Sequence, residues 1–431
     1  MDLAASLAWL DSHINLEKMA ATAGRAHGLS LDKMRRLVDV LGDPHRAYPV
    51  VHITGTNGKG STARMITGLL AESGLTVGTY TSPHLQRINE RISRNGEPIA
   101  DEELATVLSD IASIEPLAGV EPSYFEIMTA AAYRWFADVA VDVAVVEVGL
   151  LGRYDATNVA DGTVAVITNV GHDHTDFEGD WRAAIAGEKA GIIKPGSWVV
   201  LGETDPDLIP IFEREPSAGV WRRGEDFGLE ANDLAVGGRS LDIRTPGGVL
   251  EQVFLAAHGA HQGDNAAVAV AATEAFLARP LDAVVVGDAL REISLQGRFE
   301  IVGRNPLVVL DGAHNPDGGA AVAQTLEDDF THDGERVLVV GMLAGRDPLA
   351  LLEALDAASA RLVVGCTPDS PRACDADTVA AVARDLGVDA VAEPDVARAV
   401  DLALDEAAAD DAVLVTGSLY VAGAARTHLL D

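Results

Sequence analysis

The chain has 431 residues, 48% of them hydrophobic, which predicts two or three globular domains with substantial cores. No apolar run is long enough to cross a membrane and no charged-then-apolar leader occurs, so we expect a cytoplasmic protein without a membrane partner. The 66 acidic and 32 basic residues give a net charge of −34, and this argues against a nucleic-acid partner, which requires clustered basic side chains.

The first predicted strand leads into a glycine-rich turn, and the turn leads into a helix. Residues 1–48 carry apolar side chains at helical spacing, so helices are expected before the buried strand Val50–Thr54. A further helical series begins near Met65. Between strand and helix the chain reads G-T-N-G-K-G-S-T, which comprises Gly55, Thr56, Asn57, Gly58, Lys59, Gly60, Ser61 and Thr62.

This turn has the composition of a phosphate cradle. Its glycines allow backbone N–H groups and the positive end of the helix to approach an anion, Lys59 adds a mobile charge, and Ser61 or Thr62 offers a hydroxyl to Mg²⁺. The strict P-loop pattern G-x-x-x-x-G-K-[ST] is not met, because Gly60 separates Lys59 from Ser61. A glycine-rich turn with a surface lysine is the alternative.

A polar loop follows the second predicted strand, residues 76–80, at the kind of position where α/β sheets bind ligands. Within it Ser82 can serve as an oxygen ligand, and Arg87 or Arg91 as an anion clamp. A plain polar loop is the alternative. Amphipathic helices are then expected over 101–117 and 124–137.

The apolar run 141–149 predicts a central parallel strand that ends near Glu147. A buried carboxylate at that point is costly unless it is paired or binds a cation, which favours Mg²⁺ ligation. The loop that follows brings Arg153, Asp155 and Asn158 to the same edge of the sheet.

Residues 169–179, after the predicted strand 164–168, form a loop rich in histidine and aspartate: His172, Asp173, His174 and Asp176. A Zn²⁺ site requires three or four His or Cys ligands at recognisable spacing, so a hard cation with mixed oxygen and nitrogen ligands fits better. The predicted helix 181–192 carries Lys189 beside Glu188. A surface lysine is the simple interpretation, although small and apolar residues surround Lys189.

The second half of the chain predicts a β meander over 227–256, helices over 261–278 and 283–293, and a linker over 294–300. From Leu307 strands and helices alternate again, without the G-x-G-x-x-G of a dinucleotide site. The predicted fold is therefore α/β, with a P-loop-type, mainly parallel domain over 1–296 and a smaller Rossmann-like domain over 297–431.

The use of cysteine and lysine adds two expectations. Cys366 and Cys374 cannot build a disulfide framework or a four-cysteine metal site. Lysine occurs five times, at Lys18, Lys33, Lys59, Lys189 and Lys194, whereas acidic residues are spread over the whole chain. Such a surface is typical of adaptation to high salt, where charge repulsion is screened, although an ordinary acidic protein is the alternative.

Several short sequences occur in one order over nearly the whole chain and resemble the folylpolyglutamate synthase/dihydrofolate synthase family of the Mur-ligase-like superfamily. They are the cradle, S-P-H-L at 82–85, N-E-R-I at 89–92, E-V-G-L-x-G-R-x-D-A-T-N-V at 147–159, D-H at 173–174, E-K-A-G-I-I-K-P-G at 188–196, H-Q-x-x-N-A at 261–266, D-G-A-H-N-P at 311–316 and T-G-S-L-Y-V-A-G at 416–423. The resemblance implies a monomeric ligase for which ATP, L-glutamate and a dihydropteroate or folate are the substrates, and an acyl phosphate is the intermediate.

The resemblance also implies roles for individual residues. Lys59 and Ser61 would hold the phosphates and one Mg²⁺, and a carbamylated Lys189 would hold a second. The metal ligands would be Ser61, Ser82, Glu147, His174 and Lys189, and ATP would also contact Asn265, Arg298, Asp311 and His314. The pterin-bearing substrate would contact His84, Arg87 and Asp155. The residues that act in catalysis would be Lys59, Lys189, His174 and Arg153.

The chain departs from the family pattern at a few positions, and two other functions stay open. Leu151 replaces a glycine of the family's E-V-G-x-G-G-R, which puts the backbone of that loop in question. A Trp that often precedes the linker's G-R is absent. Arg346-Asp347 stands where the family has K-D. The alternatives are another Mur-type amino-acid ligase, whose cradle runs G-K-[ST]-[ST], and a non-catalytic nucleotide-binding switch.

Overall fold

The N-terminal part of the chain forms a mainly parallel sheet. The structure, a computed structural model, describes residues 1–15, 30–172, 179–330 and 334–430. Within these ranges the strands of this sheet are β1 (Val50–Thr54), β2 (Val77–Tyr80), β3 (Ile92–Arg94), β4 (Glu97–Pro98), β5 (Val143–Glu147), β6 (Val164–Ile167), β7 (Trp198–Leu201) and β8 (Gly219–Arg222). Their order is β4-β3-β2-β5-β1-β6-β7-β8, and β1 pairs in parallel with β5 and β6.

Helices cover both faces of this sheet. Over the described residues they are α1 (Leu3–Asp11), α2 (Asp32–Val40), α3 (Lys59–Glu72), α4 (Asp101–Ala118), α5 (Tyr124–Asp138), α6 (Trp181–Ala190) and α7 (Ile209–Glu213). Because side chains alternate along a strand, Val51 and Ile53 of β1 pack with α3, whereas Val50 packs with α4 and α5. All five residues of β1 are therefore buried.

A small antiparallel sheet and two helices follow. The strands are β9 (Gly228–Ala235), β10 (Gly238–Thr245) and β11 (Gly248–Leu255), and the helices are α8 (Ala260–Leu277) and α9 (Ala283–Arg291). The small side chains of alanine-rich α8 are buried against α3 on one side and the antiparallel sheet on the other. This places the start of α8 beside the turn that precedes α3.

The C-terminal part forms a second sheet with the described strands β12 (Glu300–Arg304), β13 (Leu307–Leu310), β14 (Arg336–Val340), β15 (Leu362–Gly365), β16 (Ala390–Ala392) and β17 (Ala412–Thr416). The order is β12-β13-β17-β14-β15-β16, and only the β12–β13 pair among these is antiparallel. The helices are α10 (Pro316–Asp329), α11 (Pro348–Ala354), α12 (Ala376–Asp385), α13 (Val396–Glu406) and α14 (Leu419–Leu430).

The predicted α/β class with mainly parallel sheets is confirmed, and so are the strands and helices that clear apolar patterns predicted in both halves of the chain. The hairpin β3–β4, strands β7 and β8, and the edge strands β12 and β16 were not predicted from the sequence. Most of these are short or partly exposed edge strands, which lack the long apolar run of a central strand. The division of the chain at residue 297 stays a prediction.

None of the helices in the described ranges combines the length and the apolar character that a membrane span requires.

Candidate active site

A cleft of about 930 Å³ is lined by loops from both mainly parallel sheets. One side consists of the segments that follow β1, β2, β5 and β6, and the other of the segments that follow β13, β14 and β17. The predicted site residues that line it are Thr56, Asn57, Gly58, Lys59, Gly60, Ser61, Ser82, Glu147, Asp155, Asn265, Arg298, Asp311 and His314. The structure thus brings most of the predicted nucleotide and metal positions together.

The glycine-rich turn has a backbone conformation in which a residue with a side chain would clash with its neighbours. Gly58 has a φ of 81°, and a Cβ there would lie 2.4 Å from Oδ1 of Asn265. A Cβ on Gly55 would lie 1.8 Å from Oγ1 of Thr168. The turn is fastened to the loop after β6, because the Asn57 N–H donates to Oδ1 of Asn169 at 2.9 Å. Residues 58–61, at the start of α3, line the cleft, as an anion cradle requires.

Lys59 lies over this cradle. Its ammonium group donates to the carbonyl oxygens of Gly55 and Thr56 at 3.0 and 3.1 Å. Ser61, in the first turn of α3, lines the cleft, whereas Thr62 is fully buried and does not. Of the two hydroxyls offered by the sequence, Ser61 is therefore the one that can reach a bound ligand.

Glu147 lies at the end of β5, buried beside the cradle. A Cβ on Gly60 would be 3.6 Å from its Oε2, which also accepts the Ser82 N–H at 3.2 Å. Burial raises the pKa of Glu147, while Lys59, the Ser82 N–H, Arg298 and Arg64 oppose that rise. A buried carboxylate with few donors is costly, and a cation in front of it would offset this cost.

The side chains around Glu147 fit Mg²⁺. The Ser61 and Ser82 side chains share its surroundings, and serine hydroxyls and a carboxylate are hard oxygen ligands. Over the ranges that the structure describes, no group of three His, Cys, Asp or Glu residues could hold a metal on its own. Mg²⁺ commonly takes one or two carboxylates together with substrate phosphates, so this set is sufficient. His174 lies outside the described residues.

Asp311 organises the C-terminal wall of the cleft. Its carboxylate accepts the N–H groups of Phe299 and Ala313, each at 2.7 Å, and so joins the Arg298 turn to the turn after β13. Burial raises the pKa of Asp311, against the effect of Arg298 and these two donors. Nδ1 of His314 lies 2.9 Å from the Gly312 carbonyl oxygen. Asp311 therefore positions Arg298 and His314 toward the cleft.

Two side-chain contacts that span the cleft were not predicted from the sequence. Asn315 donates to Oδ1 of Asn57 at 3.0 Å. Asp317, at the start of α10, accepts the His172 N–H at 2.9 Å. Asn315 stands in the D-G-A-H-N-P sequence, but its partner is remote in the chain, so no local pattern could have identified the pair.

The loop after β5 carries two predicted site residues, and only one of them lines the cleft. Asp155 lines the cleft; its carboxylate accepts the N–H groups of Leu150 at 2.8 Å and Thr157 at 3.0 Å, and burial raises its pKa to about 6. Arg153 instead donates to Gly187 and Glu215 and is not among the residues that line the cleft.

This loop keeps a glycine-like conformation despite its leucine. Leu151 has a φ of 59°, in the left-handed region, at a cost of about 1–2 kcal/mol. The leucine therefore adopts the strained backbone itself, and the loop still closes over α6. A Cβ on Gly152 would be 3.2 Å from the Lys189 Cα, and Lys189 is only 3% exposed.

The structure does not bring the other predicted substrate contacts into the cleft. Arg87 is exposed and pairs with Asp101 at 2.8 Å. Nδ1 of His84 accepts a hydrogen bond from the Arg91 Nε at 2.9 Å. Neither residue lines the cleft, so their proposed roles, like that of Arg153, stay predictions.

Comparison with known proteins identifies the family. Two family models match: the Mur ligase middle domain over residues 122–273 and the Mur ligase, glutamate ligase domain, over residues 297–419. Dihydrofolate synthase/folylpolyglutamate synthase of Mycobacterium tuberculosis is 40% identical over 442 residues, which cover 92% of this chain and 89% of that protein.

Solved structures agree with this assignment. M. tuberculosis folylpolyglutamate synthase complexed with ADP and AMPPCP matches with a TM-score of 0.91 and 37% identity, over 100% of this chain and 99% of that one. E. coli FolC in complex with DHPP and ADP matches with a TM-score of 0.86 and 30% identity, over 98% of this chain and 96% of that one. The chain belongs to the dihydrofolate synthase/folylpolyglutamate synthase family of Mur-type ligases.

Proposed function

We propose that this chain joins L-glutamate to dihydropteroate, to the glutamate tail of a folate, or to both, with ATP as the phosphoryl donor. The supporting observation is that a phosphate cradle, the buried Glu147 and the Arg298 turn meet in one cleft. A relative of the same fold, E. coli FolC, forms a complex with DHPP and ADP, which supports both ligand classes.

In the first step an oxygen of the substrate carboxylate attacks the γ-phosphorus of ATP. A new P–O bond forms, the bond to the bridging oxygen of ADP breaks, and ADP leaves with the electron pair. The N–H groups of the cradle and Lys59 would hold the β- and γ-phosphates, while Arg298 would meet the developing negative charge. Such positioned cations stabilise a phosphoryl-transfer transition state more than its ground state.

Ser61, Ser82 and Glu147 are the side chains that would hold Mg²⁺, which when bound neutralises charge on the transferring phosphoryl group. The hydrogen bond from the Ser82 N–H orients the Glu147 carboxylate beside Gly60. This arrangement keeps the carboxylate next to the phosphate-binding turn.

Several apolar side chains of the cleft lining suit a flat heterocycle. Ile14, Phe125, Leu150 and Tyr154 line the cleft together with Asp155. The Phe125 ring lies against Gly149, because a Cβ there would be 2.4 Å from the Phe125 Cζ. Apolar walls and one carboxylate favour an aromatic ring system with N–H donors, which a pterin provides.

In the second step the amine of L-glutamate attacks the acyl carbon. The C–N bond forms, the C–O bond to phosphate breaks, phosphate leaves with the electron pair, and the surplus amine proton passes to phosphate or solvent. Arg346 lines the same cleft and donates to the His314 carbonyl oxygen at 2.8 Å. Its guanidinium group is a candidate partner for a carboxylate of the incoming glutamate.

Lys189 is proposed to be carbamylated and to hold a second Mg²⁺ together with His174. Its nitrogen would bond to the carbon of CO₂ with loss of one proton, and its position on α6 is buried. We expect a carbamate resonance by carbon-13 NMR after exchange with labelled bicarbonate, and its loss in Lys189→Ala. Lys194→Ala is the control, and a resonance that persists in Lys189→Ala contradicts the assignment.

The function is tested by ADP release at high KCl with ATP, Mg²⁺ and L-glutamate. The substrates to compare are dihydropteroate, tetrahydrofolate and a UDP-muramoyl peptide precursor. Release with either of the first two supports the proposal and also decides between the two specificities. Release with the muramoyl substrate alone would identify another Mur-type ligase, and release with none would favour a nucleotide-binding switch.

A further inference from the structure

A narrow recess opens behind the proposed Mg²⁺ ligands and is lined by two arginines. Its walls include Gly60, Ser61, Ser82, Glu147, Arg64 and Arg298, and its volume is about 30 Å³. All of these except Arg64 also line the main cleft, so the recess adjoins the phosphate-binding turn. A space of this size holds one small anion or about two water molecules.

Within the described ranges, neither arginine of the recess has a partner for its guanidinium group. Arg64 and Arg298 make no side-chain hydrogen bond or ion pair with that part of the chain. Burial and the neighbouring charge of Arg298 lower the pKa of Arg64. A guanidinium carries five N–H donors, and no nitrogen of either arginine is among the fully buried, unpartnered atoms of the described residues, so these donors face space that water or a small anion can reach.

The acidic side chains nearby are already engaged. The Glu90 carboxylate accepts N–H groups of the loop at 85–87, at 2.7–3.0 Å. Glu300 accepts the Gly297 N–H at 2.8 Å and pairs with Arg426 at 2.9 Å. Glu147 faces the recess itself, but it is also the proposed Mg²⁺ ligand. With Mg²⁺ bound, the recess has a surplus of positive charge.

We propose that Arg64 and Arg298 form a site for inorganic phosphate, which holds the phosphate released when glutamate displaces it from the acyl phosphate. This rests on the proposed function. The C–O bond has by then broken and the phosphate oxygens carry the negative charge, so charge-assisted hydrogen bonds from both guanidinium groups stabilise it. Arg298 lies on both the cleft and the recess, and Arg64 lies on the recess alone, so Arg64 contacts the product phosphate and not intact ATP.

The test is the binding of inorganic phosphate to the full chain loaded with ADP and Mg²⁺, measured by isothermal titration calorimetry at constant ionic strength. Arg64→Gln is expected to raise the Kd of phosphate by about tenfold or more. Arg64→Lys keeps the charge, and its Kd for phosphate is expected to lie between those of the wild-type protein and Arg64→Gln. Arg134→Gln, a helical arginine paired with Asp138 away from the recess, is expected to leave the Kd unchanged.

Further measurements distinguish a product site from a general contact with the nucleotide. Affinity for a non-hydrolysable ATP analogue is expected to stay within about twofold in Arg64→Gln; an equal loss for the analogue and phosphate overturns the product site. A wild-type protein that does not bind phosphate, or a folded Arg64→Gln that binds it normally, also overturns it. The titration needs no pterin or glutamate, so absence of ligase activity alone would refute the proposed function and not the phosphate site.

Discussion

Replacement of Lys59 with methionine is expected to lower kcat/KM for ATP-dependent glutamate ligation by about 10²–10³-fold. The ammonium group lies 3.0 and 3.1 Å from two carbonyl oxygens of the cradle, where it can turn toward the β- and γ-phosphates. Methionine fills a similar volume without the charge, so the loss is electrostatic. ADP release at saturating pterin substrate, with ATP varied, measures the effect.

The matched control for Lys59 is Lys194→Met. It makes the same change in net charge, and Lys194 is not among the residues that line the cleft. We expect nearly unchanged ADP release from this variant. If Lys59→Met and Lys194→Met retained similar kcat/KM values, Lys59 would have no role in phosphoryl transfer.

Glu147→Gln is expected to reduce ligase activity by about 10²-fold or more and to raise the Mg²⁺ concentration required for half-maximal rate. Glutamine preserves the size of the side chain and its oxygen beside the Ser82 N–H, but it removes the negative charge that faces the cation. Titration of ADP release with Mg²⁺ measures both effects. Glu102→Gln, the same change on the exposed face of α4, serves as the control.

The stability of Glu147→Gln separates a ligand role from a structural one. Since burial raises the pKa of Glu147, the native state binds its proton more tightly than the unfolded state does. Without metal, ionisation of the buried Glu147 therefore lowers the free energy of unfolding. This loss is absent below the pKa that Glu147 has in the unfolded state, and it grows as pH rises through the higher pKa of the native state. Without Mg²⁺ at neutral pH, Glu147→Gln is expected to unfold at or above the wild-type denaturant midpoint. A clear decrease would indicate that Glu147 mainly stabilises the fold.

Local patterns predicted the parts of the site that lie within one strand–loop–helix unit. The cradle at 55–62 could be predicted because the glycines, Lys59 and the start of α3 are adjacent in sequence. Glu147 could be predicted because a carboxylate that ends an apolar strand needs a partner. Both inferences depend on spacing over a few residues, which the backbone geometry of a strand or helix fixes.

Contacts between distant segments could not be predicted in this way. Asn57 and Asn315 meet across 258 positions, and Asn265 covers Gly58 although no local signal relates the two. Arg153 and Asp155 stand two residues apart, yet one pairs with Glu215 and the other faces the cleft. Arg153 is held by the Gly187 carbonyl oxygen of α6 and by Glu215, whereas Asp155 is held by the N–H groups of Leu150 and Thr157 in its own loop.

The amino-acid sequence alone determined the α/β class, the phosphate-binding turn and the resemblance to a ligase family, because apolar periodicity and glycine spacing act over short stretches of backbone. Only the tertiary structure decided which polar residues share the cleft, that Ser61 and not Thr62 reaches it, and that two arginines without partners among the described residues lie behind Glu147. The physical reason is that burial and charge proximity are properties of the packed sheets, and residues far apart in the chain create them together.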